Sequence, residues 1–182
     1  MITTNDKQLA DKCREMTWFG VSSTWSRSQG ASGKPGYAWD YQVDLVGYKY
    51  YMIDIMAAIC LEQMKKLPTN LEFRRHVQER YKNELHPIIE RPYHSETVQY
   101  YCAKVPPEHR DTLIDYLADK KIHTSVHFKP LHKYTPLVQD REYPVADVEW
   151  LKLISLPVHN RMEESDIDYV IYWVNKYFDE VV

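Results

Sequence analysis

Gly47-Tyr48-Lys49-Tyr50-Tyr51-Met52-Ile53-Asp54-Ile55-Met56-Ala57-Ala58 is the stretch on which the reading of this chain turns. A glycine, then polar aromatics and a lysine, lead into a helix that is apolar on nearly every side. Met52, Ile55, Met56, Ile59, Met64 and Leu67 form its apolar stripe, and Ile53, Ala57, Ala58 and Cys60 fill much of the rest. Such a pattern predicts burial on several faces. The turn before the helix is then held against something rigid, so that its Tyr and Lys side chains can be aimed. A buried helix with an aromatic-rich lead-in and no chemistry fits the local pattern as well.

Working outward, the 182 residues suffice for one sizeable core, or a modest core with an appendage. Hydrophobic content of 44% and charged content of 27% are those of an ordinary globular protein. A formal charge of −3 gives no reason to expect nucleic acid or an anionic membrane as partner. No apolar run approaches the roughly 20 residues of a membrane helix, and the first residues do not have the basic-then-apolar order of a secretory signal. Cys13, Cys60 and Cys102 are far apart and odd in number, forming neither a disulfide framework nor a zinc pattern. A cytoplasmic location is the expectation. The chain has 15 Tyr and 5 Trp against 4 Phe. Polar-tipped rings suit half-buried surfaces such as interfaces and sugar or nucleotide clefts; a tyrosine-rich core edge would use them too.

The element pattern is mixed. Ile2 to Thr4 reads as a strand end, and Asn5 or Asp6 caps a helix through about Met16. Residues 17–47 show no sustained period; their Gly, Ser, Trp and Tyr suggest an ordered, packed loop. The apolar helix should stop at Pro68, with a second from Thr69 or Asn70 to Pro87 packing through Leu71, Val77, Tyr81 and Leu85, giving a hairpin or a bent long helix. Strands are predicted over Thr97–Val105, Ile122–Phe128 and Leu153–Ser155, and helices begin at Pro106-Pro107-Glu108, at Pro144 and at Glu163-Glu164-Ser165-Asp166. The last places Ile167, Val170, Ile171, Val174, Phe178 and Val181 at helical spacing. From about 97 to 182 this order predicts a small α+β layer with helices on one face of a short sheet.

The opening stretch resembles the Gly-Tyr-Asn/Lys-Tyr-x-Met-x-Asp-Ile-x-Ala-Ala signature of the DegT-type aminotransferases, pyridoxal-phosphate (PLP) enzymes of nucleotide-linked keto sugars. Met1-Ile2-Thr3-Thr4-Asn5-Asp6 is similar to the family segment that follows the cofactor-binding lysine. Thr24-Trp25-Ser26-Arg27 and Trp39-Asp40-Tyr41 resemble a substrate-side loop. Thr124-Ser125-Val126-His127-Phe128-Lys129-Pro130-Leu131-His132, Tyr143-Pro144-Val145-Ala146, Ile154-Ser155-Leu156-Pro157-Val158-His159 and Asp166-Ile167-Asp168-Tyr169-Val170 match later segments in order.

The resemblance implies an α+β fold: the C-terminal small domain of a fold-type I aminotransferase behind the tail of the large domain. In that division residues 1–50 are the end of the large domain with an active-site loop, 51–95 the connecting helices, and 96–182 the small domain. It implies that the Schiff-base lysine lies upstream of residue 1, so that no catalytic residue is nominated here and the chain is inactive alone. It assigns Lys49 to the PLP phosphate of a neighbouring subunit; a solvated loop lysine is the competing reading. Tyr51 departs from the Arg or Asn usual at its position. Tyr50, His127 and His132 fall on the sugar-nucleotide side, and Arg27 could meet a diphosphate through its planar fork, although a surface arginine fits equally. A zinc site at His123 and His127 is disfavoured because no ligand cluster completes it, and His159 reads as a turn residue. Glutamate is the implied amino donor, PLP the cofactor of the complete enzyme, and self-association or a large-domain half the implied partner. The alternative from another class is a non-catalytic interaction module, or one half of a split enzyme. A small sugar-nucleotide binder without PLP is the remaining possibility.

Overall fold

A computed structural model describes residues 2–21, 39–90, 99–134 and 141–182. They divide into two units, Met1–Gln63 and Met64–Val182, each described by itself.

In the first unit, helix α1 (Lys7–Thr17) starts where the sequence says it should: the Asp6 carboxylate accepts from the backbone N–H of Gln8 at 2.9 Å and of Leu9 at 3.2 Å. Its end is equally specific. Phe19 and Gly20 both take positive φ, and the Gly20 N–H returns to the Glu15 carbonyl at 2.8 Å, closing the helix with a left-handed cap. Ile2 to Thr4 is not a strand, because among the described residues no neighbouring strand takes up its backbone groups.

Helix α2 (Asp54–Glu84) carries two corrections to the sequence reading. It is continuous for 31 residues, with Pro68 inside it. Proline removes one backbone donor and crowds the preceding turn, yet the helix runs through it unbroken, with the weak helix formers Thr69 and Asn70 directly after it. Its N-terminal apolar half is also not buried: Ile55 is 71% exposed and Met64 66% exposed. An apolar face records affinity for apolar surface, and the described residues supply none here. The C-terminal half does pack, through Val77 and Tyr81.

The second unit is built on an antiparallel pair, β1 (Tyr101–Lys104) and β2 (Leu153–Leu156), in the register Tyr101↔Leu156, Cys102↔Ser155, Ala103↔Ile154, Lys104↔Leu153. Glu90 bridges to Lys104 on the outer side of β1, and Ser125 to Ser155 on the outer side of β2. The strand predicted over Ile122–Phe128 thus contributes a single bridge. Helices α3 (Pro107–Asp119), α4 (Pro144–Lys152) and α5 (Glu164–Val181) complete the unit. Pro stands in the first turn of α3 and α4 as predicted, and Glu163 and Asp166 form a reciprocal capping box on α5.

Side-chain alternation on the strands decides where the core sits. Tyr101, Ala103, Ile154 and Leu156 are buried with Val77 and Tyr81 of α2, Leu113 and Leu117 of α3, and Ile167, Val174 and Phe178 of α5. The Tyr81 hydroxyl donates to the Pro157 carbonyl at 2.9 Å, and burial pushes that phenol's pKa up. Arg80 joins α2 to α5 through Glu164 at 2.8 Å and Asp168 at 2.7 Å, with Glu84 a third partner. Its pKa is raised, chiefly by the Glu84 hydrogen bond.

Phe178→Ala should cost about 3–5 kcal/mol, the usual result of emptying a fully buried aromatic site. Urea unfolding checks this, and a loss within experimental scatter would contradict the core described here. A second expectation concerns Glu149, which meets Lys104 at 2.7 Å and Lys152 at 2.8 Å and is held at a pKa of about 2, below the 4.5 of a free glutamate, first by the Lys104 hydrogen bond. A depressed carboxylate pKa stabilises the fold above the unfolded value and loses that effect as pH falls through the folded one. The Tm gap between wild type and Glu149→Gln should therefore be widest above pH 4.5 and close as pH falls toward 2. A gap independent of pH would refute it.

Candidate functional site

The Gly47–Tyr51 turn owes its position to two glycines. A Cβ on Gly47 would lie 2.2 Å from the Gly20 nitrogen, and one on Gly20 would lie 1.7 Å from the Leu45 carbonyl oxygen. Only backbone without side chains passes at this distance. The approach lets the turn zip onto the end of α1: Tyr48 N–H donates to Met16 O at 2.7 Å, Phe19 N–H to Tyr48 O at 2.9 Å, and Tyr50 N–H to Thr17 O at 2.9 Å. Lys49 then pairs with Trp18 in an antiparallel bridge.

That bridge fixes where the Lys49 ammonium goes. It lies 5.9 Å from the Trp18 ring centroid, 5.5 Å from Phe19 and 5.8 Å from Tyr51, within cation–π range of all three. Among the described residues no carboxylate pairs with it, and the residue is exposed. Tyr51, the departure from the family pattern, serves here as one wall of this aromatic support. Tyr50 is 74% exposed and stacks on Tyr48 at 5.0 Å between centroids. Trp18, Phe19, Val21, Tyr41 and Val43 also line an apolar pocket of about 350 Å³. Arg27 lies outside the described residues.

In the second unit, the strand face opposite the core forms a polar pocket of about 310 Å³. Cys102 and Ser155 are cross-strand partners, Ser125 bridges Ser155 on its other side, and Tyr100 and His127 lie two residues away from Cys102 and Ser125. Period-two alternation brings these five side chains to one face. His127 Nδ1 is 2.8 Å from Ser155 Oγ, which is 3.1 Å from Cys102 Sγ, and the imidazole stacks on Tyr100 at 4.0 Å. Arg74 and His123 share the lining. Arg74 is tied down by donating to Asn160 Oδ1 at 2.9 Å and to the Gln99 carbonyl at 3.3 Å.

His132 does not line this pocket. Its Nε2 is 2.9 Å from Asp147 Oδ1, Lys133 Nζ meets the same oxygen at 2.6 Å, and its ring stacks on Tyr143 at 4.7 Å. The Asp147 carboxyl is held below its usual pKa, first by Lys133 and then by His132. His132 therefore anchors the Leu131–Lys133 turn against α4. His159 is the turn residue it was predicted to be, accepting from Arg161 N–H on Nδ1 at 3.3 Å. Among the described residues no cluster of His, Cys, Asp and Glu could hold a metal, and no helix is long and apolar enough to cross a membrane.

Sequence reasoning missed Tyr100, Arg74 and Ser155. Only Ser155 left a usable signal, a hydroxyl in the otherwise apolar strand Leu153-Ile154-Ser155-Leu156. The polar partners of a pocket made by three separate segments are not visible as local spacing.

The mixed helix–strand architecture is one that structural neighbours among the sugar aminotransferases also have. The chain belongs to the DegT/DnrJ/EryC1/StrS aminotransferase family, whose model matches residues 1–175. It is 31% identical to the spore coat polysaccharide biosynthesis protein SpsC of Bacillus subtilis (strain 168), over 94% of this chain and 47% of that protein. It is 27% identical to GDP-perosamine synthase of Escherichia coli O157:H7, over 99% of this chain and 47% of the synthase. In structure it is similar to the aminotransferase TlmJ from Streptoalloteichus hindustanus, with a TM-score of 0.85 and 22% identity, covering 98% of this chain and 47% of the other. The chain spans about half the length of the relatives it matches. The family is PLP-dependent. An exposed ammonium, braced by rings and without a carboxylate partner among the described residues, fits the phosphate end of that cofactor.

Gly47→Ala should break the turn without touching the core of the second unit. Hydrogen exchange at the Phe19, Tyr48 and Tyr50 amides should quicken while the β1 amides keep their protection. Unchanged exchange at the three amides would show that the close approach is not what holds Lys49.

Proposed function

We propose that the chain forms the C-terminal part of a PLP-dependent nucleotide-sugar aminotransferase, which moves an amino group from glutamate to a nucleotide-linked keto sugar in surface-polysaccharide or amino-sugar synthesis. The observation that carries this, given the family, is the Lys49 ammonium presented to solvent on three rings. Residues 1–50 then end the large domain, 51–95 connect, and 96–182 form the small domain. The exposed apolar half of α2 is covered by self-association or by a large-domain half.

When bound, PLP supplies the electron sink through which an amino group can be handed on. The residues of this chain do the rest of their work by binding and orientation. Lys49 neutralises phosphate charge, and Tyr50 and Arg27 act on the nucleotide side. His127 donates to a hydroxyl or carbonyl oxygen of the sugar, while His132 sets the position of the loop that carries it. The covalent anchor for the cofactor comes from a lysine outside these 182 residues, so the chain alone is inactive. The binding of nucleotide sugar by such a chain alone is a weaker reading, since the polar pocket is small for one.

In the chain joined to a family N-terminal half that carries the lysine, Lys49→Ala should raise the Kd for PLP roughly 10- to 100-fold, the effect of losing one charge-assisted hydrogen bond, with partial recovery in Lys49→Arg. An unaltered PLP affinity would remove Lys49 from the site. Glutamate-dependent amination by the unjoined chain would overturn the division of the enzyme proposed here.

A further inference from the structure

The polar pocket contains one arrangement that the reading above does not use. Ser155 is 4% exposed and sits at the centre of the three-segment sheet, its backbone N–H and C=O both bonded to Ser125 at 2.7 and 3.1 Å. Its hydroxyl is therefore free to work sideways. On one side lies His127 Nδ1 at 2.8 Å, on the other Cys102 Sγ at 3.1 Å.

Two proton arrangements satisfy this chain of three atoms. In one, the Cys102 thiol donates to Ser155 Oγ and the Ser155 hydroxyl donates to His127 Nδ1, leaving the imidazole proton on Nε2. In the other, His127 Nδ1–H donates to Ser155 and the Ser155 hydroxyl is spent on sulfur. A hydroxyl is a strong donor and a thioether or thiol sulfur a weak acceptor, whereas imidazole nitrogen is a good acceptor. The first arrangement places the strong donor on the strong acceptor and leaves sulfur only the donating role it can fill. Among the described residues nothing else bonds the imidazole, which stacks face-on against Tyr100 at 4.0 Å and meets the Phe128 ring edge-to-face at 4.6 Å.

We propose that Ser155, backed by Cys102, is a positioning residue that holds neutral His127 in its Nε2–H tautomer, so that the pocket meets its ligand with a hydrogen-bond donor and not a base. The ligand oxygen it suits is a carbonyl or a hydroxyl acting as acceptor. The tautomer itself depends only on this chain; its use on a keto sugar rests on the reading given under Proposed function.

The test is nitrogen-15 NMR of the His127 side chain in the full chain, above the pH at which the ring is neutral, where the protonated and bare nitrogens are distinguished directly. Wild type should show the proton on Nε2. Ser155→Ala should shift the ratio of the two tautomers roughly tenfold toward Nδ1–H, as expected for one lost hydrogen bond, and Ser155→Thr should restore it. Cys102→Ser should keep the Nε2–H form, since a hydroxyl replaces the thiol as donor. A wild-type ring protonated on Nδ1 overturns the proposal without any variant, and so does a Ser155→Ala ring that keeps the wild-type ratio in a folded protein. In the joined enzyme, Ser155→Ala should raise KM for the keto sugar while the half-reaction with glutamate is unaffected. A shifted tautomer with unchanged KM would sink the assignment of His127 to the sugar and leave the tautomer standing.

Discussion

The pairing of Cys102 with Ser155 is the constraint on which the second unit depends. Because side chains alternate across a strand, this register sends Tyr101, Ala103, Ile154 and Leu156 to the core and leaves Cys102 and Ser155 for the opposite face. A slip of one residue would exchange the two sets, turning a thiol and a hydroxyl into the apolar core and a tyrosine and two branched aliphatics out of it. The core is thus what holds the pocket in place. Each rung that excludes water from Val77, Leu117 and Phe178 also fixes the distance between Ser155 and His127.

Among its described residues, the first unit holds its turn with backbone contacts. Gly20 and Gly47 meet where no Cβ could stand, and three hydrogen bonds then lock the lysine turn to the end of α1. A charge on such a turn would ordinarily sample many rotamers. Three rings around the Lys49 ammonium narrow that sampling without neutralising it, which a carboxylate would have done. Elsewhere, acids are committed to partners within the fold: Glu84, Glu164 and Asp168 to Arg80, Asp147 to Lys133, Glu149 to Lys104.

Local physics was readable in the sequence and tertiary physics was not. The Asp6 cap, the prolines opening α3 and α4, and the spacing of Ile167, Val170, Val174 and Phe178 are set by residues within a few positions of one another, and they appear where the pattern puts them. At Pro68 the sequence leaves a hairpin and one long helix both open, because local pattern does not say whether the flanking turns carry a helix past a proline. The apolar half of α2 was misread for another reason: hydrophobicity is a property of the helix, burial a property of helix and partner together. His132 lies outside the polar pocket, and its ion pair with Asp147, which joins residues 15 apart, leaves no local spacing to read. Ser155, the residue with the most leverage on His127, lies 28 positions away from it and has no motif of its own.

An imidazole lining a polar pocket is easily taken for a base, and the Nδ1 contact with Ser155 Oγ argues for a donor instead. In the Nε2–H tautomer proposed for it, with Nδ1 taken by the Ser155 hydroxyl, the His127 ring has no free lone pair to offer a ligand and can only donate. The same logic applies to Lys49, whose ammonium on its aromatic support is useful as a fixed positive charge and would lose that use if it gave up its proton. Both side chains are thus fixed in place by neighbours that leave their charge or donor group available, His127 by Ser155 and Tyr100, and Lys49 by its three rings.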